Sequence, residues 1–249
     1  MNDTMRAVAA RKSVRAFEKK DIPADIKRAL LEAAFQAPTA GNQMLYTILD
    51  IADQPLKEAL AKSCDDQPFI ADAPLVLVFL ADCRRWLDSY RAAGLPARSP
   101  GPGDALLAIT DAVIAAQNMV AAAESFGLGS CYIGDILENC EHVRQLLSLP
   151  DEAIPAAMLV IGYPTAQQAA RQKPARIDGR YIVFENRYTL LTPTQHKEMY
   201  LDREARNGHP DADFVERLTA FWKRKYESDF SREMNRSACQ YLKAFEWSE

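Results

Sequence analysis

DALLAITDAVIAAQNMVAAAESF, residues 104–126, runs directly into GLGSCYIG, residues 127–134, and the reading of this stretch decides the fold. Its first part places alanine or a larger apolar residue (Leu106, Leu107, Ile109, Val113, Ile114, Met119, Val120) almost all the way round a 3.6-residue repeat. That pattern predicts one long helix buried on every side. The centre of a monomer or a subunit interface would hide it equally well. Gly127 supplies the left-handed residue that ends such a helix. The second part sets glycines around a short aromatic and β-branched run, which predicts a strand over 130–133.

Outward from this stretch, residues 21–38 (DIPADIKRALLEAAFQAP) predict another helix. Pro23 suits a first turn, Ile26, Leu30 and Ala33 or Ala34 share a face, and Pro38 stops the helix. Strands are predicted over 46–52 and 74–80 with a short helix over 56–62 between them; the second strand is apolar throughout, as one buried on both faces would be. A helix over 140–149, stopped by Pro150, and a strand over 156–162 follow. Past Pro193 the chain turns polar, with helices near 195–206, 214–226 and 231–245. Phe214, Leu218, Phe221, Trp222 and Tyr226 form one apolar stripe and Met234, Ala238, Tyr241, Leu242 and Phe245 a second, and both predict packing on the body of the subunit or on its partner. A few strands among more numerous helices make an α+β architecture.

With 249 residues, 48% of them hydrophobic and 26% charged, the chain builds a substantial core, which excludes a disordered or fibrous class. The formal charge of −4 repels nucleic acid and anionic lipid, so any anion site is local. Five cysteines, at 64, 83, 131, 140 and 239, form no CxxC pair, and their odd number cannot be fully paired, as in a reducing compartment. The N-terminus, MNDTMRAVAARKSVRAF, carries charges where a signal peptide is apolar, and no unbroken 18-residue apolar run is seen; the expectation is a cytoplasmic protein with no membrane partner.

Two stretches are locally basic. Residues 11–20 (RKSVRAFEKK) hold five cations against Glu18, and residues 171–187 (RQKPARIDGRYIVFENR) hold five against Asp178 and Glu185. Ser13 between cations offers a phosphate both charge and directional donors; a solvated charged loop has the same composition. The loop Pro38-Thr39-Ala40-Gly41-Asn42-Gln43 combines small residues, which let backbone approach a flat ring, with amides that suit a pyrimidine-like edge, although an ordinary turn looks similar. Other sites are set aside. No GxGxxG, GxSxG or P-loop is present. Gly129-Ser130-Cys131-Tyr132 imitates a papain-type motif, but His196 and His209 follow Cys131 by only 65 and 78 positions, so Cys131 reads as a buried structural thiol. His142, His196 and His209 make no HExxH pair, so no metal site is expected.

Taken together, these segments resemble the nitroreductase superfamily, in particular its oxygen-insensitive NADPH nitroreductase and flavin reductase type. The matching pieces are RKSVRAF, APTAGNQ, Gln67 in DDQPFIADAP, AAQNMVAAAESFGLGSCYIGDI, HVRQLLSLP, QKPARI and IVFENRY, in the family's order over roughly the first 190 residues. The resemblance implies a nitroreductase-like fold, a central mostly antiparallel sheet flanked by helices in an intertwined homodimer. One FMN-binding domain would span 1–249, with 195–249 a helical extension on the core or on the partner. FMN would be held noncovalently between the subunits. By motif position Arg11, Lys12, Ser13 and Arg15 would meet its phosphate, ribityl chain and pyrimidine edge, and Lys173 and Arg176 would form a second phosphate grip. Pro38, Thr39, Ala40 and Asn42 would line the ring, Gln67 would meet an amide edge, and Tyr132, Ile133 and Gly134 would pack against the flavin.

The implied activity is hydride transfer from NADPH or NADH through FMN to a nitroaromatic, quinone or flavin by a ping-pong mechanism. Arg15 would be the cation near N1 and O2, and no side chain is required as a catalytic acid or base. The same fold also suits an FMN store or sensor, or a flavin-fragmenting or reductive dehalogenating enzyme. Three departures stand out. The basic pair of QKPARI is one residue wider than usual, Asp135 stands where a second glycine is common, and the tail after about 195 matches poorly. Within that tail Arg203 and Arg206 suit either a 2′-phosphate or a solvated helix end.

Overall fold

The run of β-branched and leucine side chains in Leu75–Asp82 leaves no polar face for water, and this strand takes a central place in a four-stranded sheet. The computed structural model describes residues 2–246. Its strands, β1 (Tyr46–Asp50), β2 (Leu75–Asp82), β3 (Gly129–Ile133) and β4 (Ala153–Gly162), lie in the order β1-β2-β4-β3 with every neighbouring pair antiparallel. One irregularity in register falls between Phe79 and Leu80, where β2 runs along β4.

The two-residue period of the strands sorts the core into two layers. Leu75, Leu77 and Phe79 of β2, with Leu159 and Ile161 of β4, face α2 (Ala24–Phe35) and α5 (Pro102–Ser125). Val76, Val78 and Leu80, with Met158, Val160, Cys131 and Ile133, face α3 (Gln54–Ser63) and α6 (Cys140–Leu147). A one-residue slip of β2 would exchange the two sets, so both faces specify its register.

Helix α5 departs from the sequence expectation. Its alanines at 105, 108, 112, 115, 116 and 123 are buried, whereas Leu106, Leu107 and Val113 are 64%, 51% and 40% exposed. The physical reason is size. Small side chains let the helix lie close on the sheet, so the bulkier apolar residues fall on the opposite face, and the informative pattern is small against large. By length and mean hydropathy (1.6) the helix would suffice to cross a membrane, although polar residues interrupt its apolar run; its packed face makes it a core helix. Gly127, at φ +70°, ends it as predicted.

Two compact units emerge, one comprising residues up to Arg171 together with those from Glu233, the other Gln172–Arg232. Residues from 195 onward are shared between the two units, passing from the second to the first at Glu233. In the first unit, α1 (Asp3–Ala10) and α4 (Arg84–Ala92) are helices that the sequence reading did not pick out, and α7 (Ala166–Ala170) is a single short turn. Helix α10 (Asp229–Leu242) leads the chain back into this unit, where Tyr241 and Phe245 are buried with Ala105, Ala108 and Ile154; Leu242, from the same predicted stripe, is exposed. Arg236 of α10 grips both carboxylate oxygens of Glu141 at 2.8 and 2.9 Å and pairs with Glu233 at 2.8 Å. That guanidinium holds the Glu141 and Glu233 carboxyls down to about 2. Glu233 and Ser237 in turn accept the amides of Asn139 and Cys140 at 3.1 and 2.9 Å, so side chains of α10 cap the start of α6.

The second unit contains α8 (Pro193–Arg206) and α9 (Phe214–Lys225). No residue of α9 is buried, and Phe221, Trp222 and Tyr226 of its predicted stripe are 38%, 45% and 72% exposed. Phe214 and Leu218 of the same stripe are half-buried, Phe214 edge-on against Tyr200 of α8, so the stripe is covered only at its start.

Candidate functional site

The basic N-terminal motif is laid against the edge strand of the sheet. Val14 donates its amide to the Ser130 carbonyl at 2.9 Å, and Ser13 forms a parallel bridge with Ser130. A Cβ on Gly129 would sit 2.5 Å from Cγ2 of Val14, so only glycine admits this approach. On the other side the motif is tied to the segment after β4. The Lys12 ammonium donates to the carbonyls of Ala169 (2.6 Å) and Arg171 (2.5 Å), the Arg15 amide donates to Oε1 of Gln168 at 3.3 Å, and the Arg171 guanidinium donates to the Ser13 carbonyl.

Arg11 and Arg15 enter no ion pair among the described residues. Their fields fall on β3. Burial pushes the Tyr132 phenol up to about 12 against the opposing pull of Arg11, and burial raises the Cys131 thiol against the pull of Arg15. Two guanidinium groups without an ion-pair partner among the described residues thus give a local concentration of positive charge beside β3 in a chain of net charge −4.

The loop after Pro38 is held by a residue that the sequence reading did not select. Asp111 of α5, 3% exposed, accepts the hydroxyl of Thr39, the amide of Ala40 at 3.0 Å and the amide of Leu45 at 3.2 Å. Thr39 then accepts the Met44 amide at 2.8 Å. Gly41, Asn42 and Met44 all have left-handed backbone, φ +56°, +57° and +51°, a sequence of turns that such anchors maintain. A carboxylate in the middle of a mostly apolar helix, away from Asp104 and Glu124 in its end turns, was the available signal.

Gln67 is fixed by two bonds from its amide nitrogen, to the Cys64 carbonyl at 2.8 Å and to Oδ2 of Asp135 at 2.5 Å. Tyr132 is half-buried, with its hydroxyl 3.3 Å from Oε1 of Gln117, and Gly134 is exposed. Ile133 points its side chain into the core and is 2% exposed, so only its backbone is left to face a ligand. Glu138, four residues on from Gly134, is buried with one carboxylate oxygen unpartnered. Burial first, then Asp135, Asp65 and Glu233, push its carboxyl up to about 7. The segments around 13–15, 39–45 and 67 are thus each bonded to the 104–138 stretch, through Ser130, Asp111 and Asp135.

Lys173 and Arg176 belong to the second unit. Arg176 lines a cavity of about 850 Å³ with Arg203, Arg224, Glu204, Asn207 and Phe221. There Arg203 and Arg217 pair with Glu204 at 3.1 and 2.6 Å, and Arg203 stacks on Tyr200. Arg206, by contrast, pairs with Asp202 at 2.6 Å on an exposed helix face, the solvated alternative. Among the described residues no cluster of His, Cys, Asp or Glu suits a metal ion, and all five cysteines are free.

The model of the Nitroreductase family matches residues 8–163, which span the motif at 11–15, the loop at 38–43, Gln67 and β3. This chain belongs to the nitroreductase family. The family chain is 28% identical over 246 residues to a Bacillus subtilis protein named FMN reductase (NADPH), covering 94% of this chain and 98% of the relative. It is 28% identical over 235 residues to an NADPH-dependent oxidoreductase of Staphylococcus epidermidis, covering 90% and 93%. Among solved structures, a nitroreductase from B. subtilis aligns with TM-score 0.77 at 28% identity over 93% of this chain and 98% of that one. A Bacteroides fragilis structure aligns with TM-score 0.86 at 26% identity over 98% and 100%. The nitroreductase-like α+β fold expected from sequence is the fold observed.

Proposed function

We propose that this protein is an NADPH-dependent, FMN-containing oxidoreductase that works as a homodimer and reduces nitroaromatics, quinones or free flavin by a ping-pong mechanism. The observation that carries the reading is the pair of uncompensated cations, Arg11 and Arg15, drawn onto the end of β3 by the Val14–Ser130 bond. A phosphate or a reduced ring is the kind of anion they suit. The residues fit FMN in a second respect, since the Gln67 amide oxygen accepts no hydrogen bond from the described residues and so offers an acceptor to a ring N–H.

The bound flavin supplies two-electron chemistry between nicotinamide and acceptor. The protein's share is to hold and to tune. Arg11, Ser13 and Arg15 bind the anionic parts, while Lys12 braces the motif through two carbonyls. Thr39, Ala40 and Asn42 present a small-residue loop to the ring, pinned by Asp111. Tyr132 and the backbone of Ile133 and Gly134 border it. Lys173 remains a candidate for the flavin phosphate, whereas Arg176 shares with Arg203 and Arg224 a cavity suited to the extra phosphate of NADPH. Leu106, Leu107 and Val113 leave exposed apolar side chains on α5, and Met5 and Val8 leave others on α1 beside the C-terminal half of that helix, which a second copy of the chain would cover.

The test is the absorption spectrum of freshly purified protein under anaerobic conditions. A flavin spectrum bleached by NADPH and restored by a nitroaromatic or a quinone is expected. Arg15→Ala should bind FMN more weakly by about 1.5–3 kcal/mol, the worth of a bond to a charged group. A yellow protein that stays oxidised under NADPH and NADH would make it a flavin store instead, and a colourless one that ignores added FMN refutes the reading.

A further inference from the structure

Asp135 is a departure within a matching motif, and its carboxylate makes one specific contact. The Gln67 amide nitrogen has two hydrogens, and both are used, one on the Cys64 carbonyl at 2.8 Å and one on Oδ2 of Asp135 at 2.5 Å. Neither a carbonyl nor a carboxylate can donate, so the amide cannot be turned round without losing both bonds. Its oxygen is therefore forced to the opposite side, where it accepts no hydrogen bond from the described residues, and only a donor can satisfy it.

The backbone makes this placement stiff. Asp65 and Asp66 both have left-handed backbone, φ +59° and +48°, and the backbone N–H of Gln67 donates to the Ala61 carbonyl at 3.0 Å. Two successive non-glycine residues in that region are costly and need fixed anchors on either side. Asp135 is such an anchor, at the start of the 3-10 turn Gly134–Leu137 that leaves β3.

We propose that Asp135 is a positioning residue that sets the polarity of Gln67, so that the amide oxygen accepts from the ring N3–H of FMN. This rests on the flavin reading above. The oxidised ring carries a single N–H donor, at N3, flanked by two carbonyl acceptors. A Gln67 free to rotate would meet those carbonyls about as well, and selection of the N–H is what Asp135 adds.

The experiment is a double-mutant cycle on FMN affinity in the full-length protein, with CD confirming the fold. Asp135→Ala and Gln67→Ala should each weaken FMN roughly 3–10-fold, the worth of one neutral hydrogen bond. The double variant should be no worse than Gln67→Ala alone. Asp135→Asn, whose oxygen still accepts from the amide, should stay within about twofold of the parent, the limit for a change that keeps the bond. With 15N-labelled FMN, the N3–H resonance should be protected from exchange in the parent and in Asp135→Asn, and lose that protection in Asp135→Ala. Should Asp135→Ala not fold, Asp135→Ser, too short to reach the amide, takes its place in the cycle. Additive losses, an unaffected Asp135→Ala, or an Asp135→Asn as weak as Asp135→Ala would each overturn the proposal while leaving the flavin reading intact. A parent protein that takes up no FMN would overturn both.

Discussion

Replacing Asp111 by asparagine should destabilise the protein and loosen its flavin, and the magnitude can be worked from four contacts. Oδ2 accepts from Thr39, from Leu45 at 3.2 Å and from Ala40 at 3.3 Å, and Oδ1 accepts from Ala40 at 3.0 Å. Asparagine has one oxygen and one NH2. With its oxygen in the Oδ2 position the NH2 confronts the Ala40 amide; in the other orientation it confronts the Leu45 amide. Either way a buried backbone N–H meets a second donor. Bonds to a charged acceptor contribute about 1.5–3 kcal/mol each and an unsatisfied buried group costs about 1–3 kcal/mol. Against this, no cation pairs with Asp111 among the described residues, so removing the charge recovers part of its desolvation penalty. The net expectation is a loss of about 2–4 kcal/mol, or a fall in Tm of roughly 4–16 °C for a chain of this size. Thermal melting followed by CD measures the first effect, and fluorescence titration with FMN should show weaker binding as the 39–45 loop slackens. The cycle with Thr39→Val should be less than additive. A melting point within about 2 °C of the parent, with unchanged FMN affinity, would refute the claim that Asp111 holds the loop.

Three further outcomes are expected. Arg224→Ala should raise KM for NADPH about tenfold while leaving KM for NADH nearly unchanged, since one charge-assisted bond to a 2′-phosphate is at stake; equal changes for both would remove the cavity from coenzyme selection. Val113→Glu, placed on the exposed apolar face of α5, should convert a particle of twice 27.8 kDa into one of 27.8 kDa in light-scattering measurements, and an unaltered mass would put the interface elsewhere. Glu138→Gln should stabilise the protein at pH 8 but not at pH 4. Its folded carboxyl stands at about 7 against an ordinary 4.5. Between those values the folded state binds more protons than the unfolded one, so its contribution to stability falls as pH rises and levels off above 7. A gain of about 1–3 kcal/mol at pH 8 in urea unfolding is expected, shrinking to nothing below pH 4.5; a pH-independent difference would contradict it.

Much of this was legible in the residues because period and size act locally. The apolar run of β2, the glycine after α5 and Pro38 at the end of the first predicted helix each specify their own element whatever surrounds them. Helix α4 was not legible, since its Arg84, Arg85, Asp88 and Arg91 give a charged face that resembles loop composition. The exposure of Leu106, Leu107 and Val113 was hidden for a different reason: hydrophobicity alone does not separate an alanine face that fits a sheet from a leucine face left over for another surface. At the site, residue type pointed to Arg11, Arg15 and the 38–43 loop as ligand-facing groups. It was silent on Asp111 and on the bond between Gln67 and Asp135, because both act across 66 to 72 positions of chain.

Those long-range bonds share one physical logic. Apart from Tyr132 and Ile133 of β3, the candidate flavin contacts of the first unit lie on irregular backbone, which by itself would sample many conformations and lose binding energy in becoming ordered. Each irregular segment is instead fixed by one strong attachment to a regular element. Val14 docks on Ser130 of β3 across a gap only Gly129 permits, the 39–45 loop hangs on Asp111 of α5, and Gln67 is aimed by Asp135 just beyond β3. Because α5 and β3 are packed into the same core layers as β2 and β4, the three attachments are rigid relative to one another. Loosening any one should therefore weaken ligand binding without displacing the other two, which is why single variants at Gly129, Asp111 and Asp135 are expected to act on affinity additively among themselves, although each is coupled to its own immediate partner.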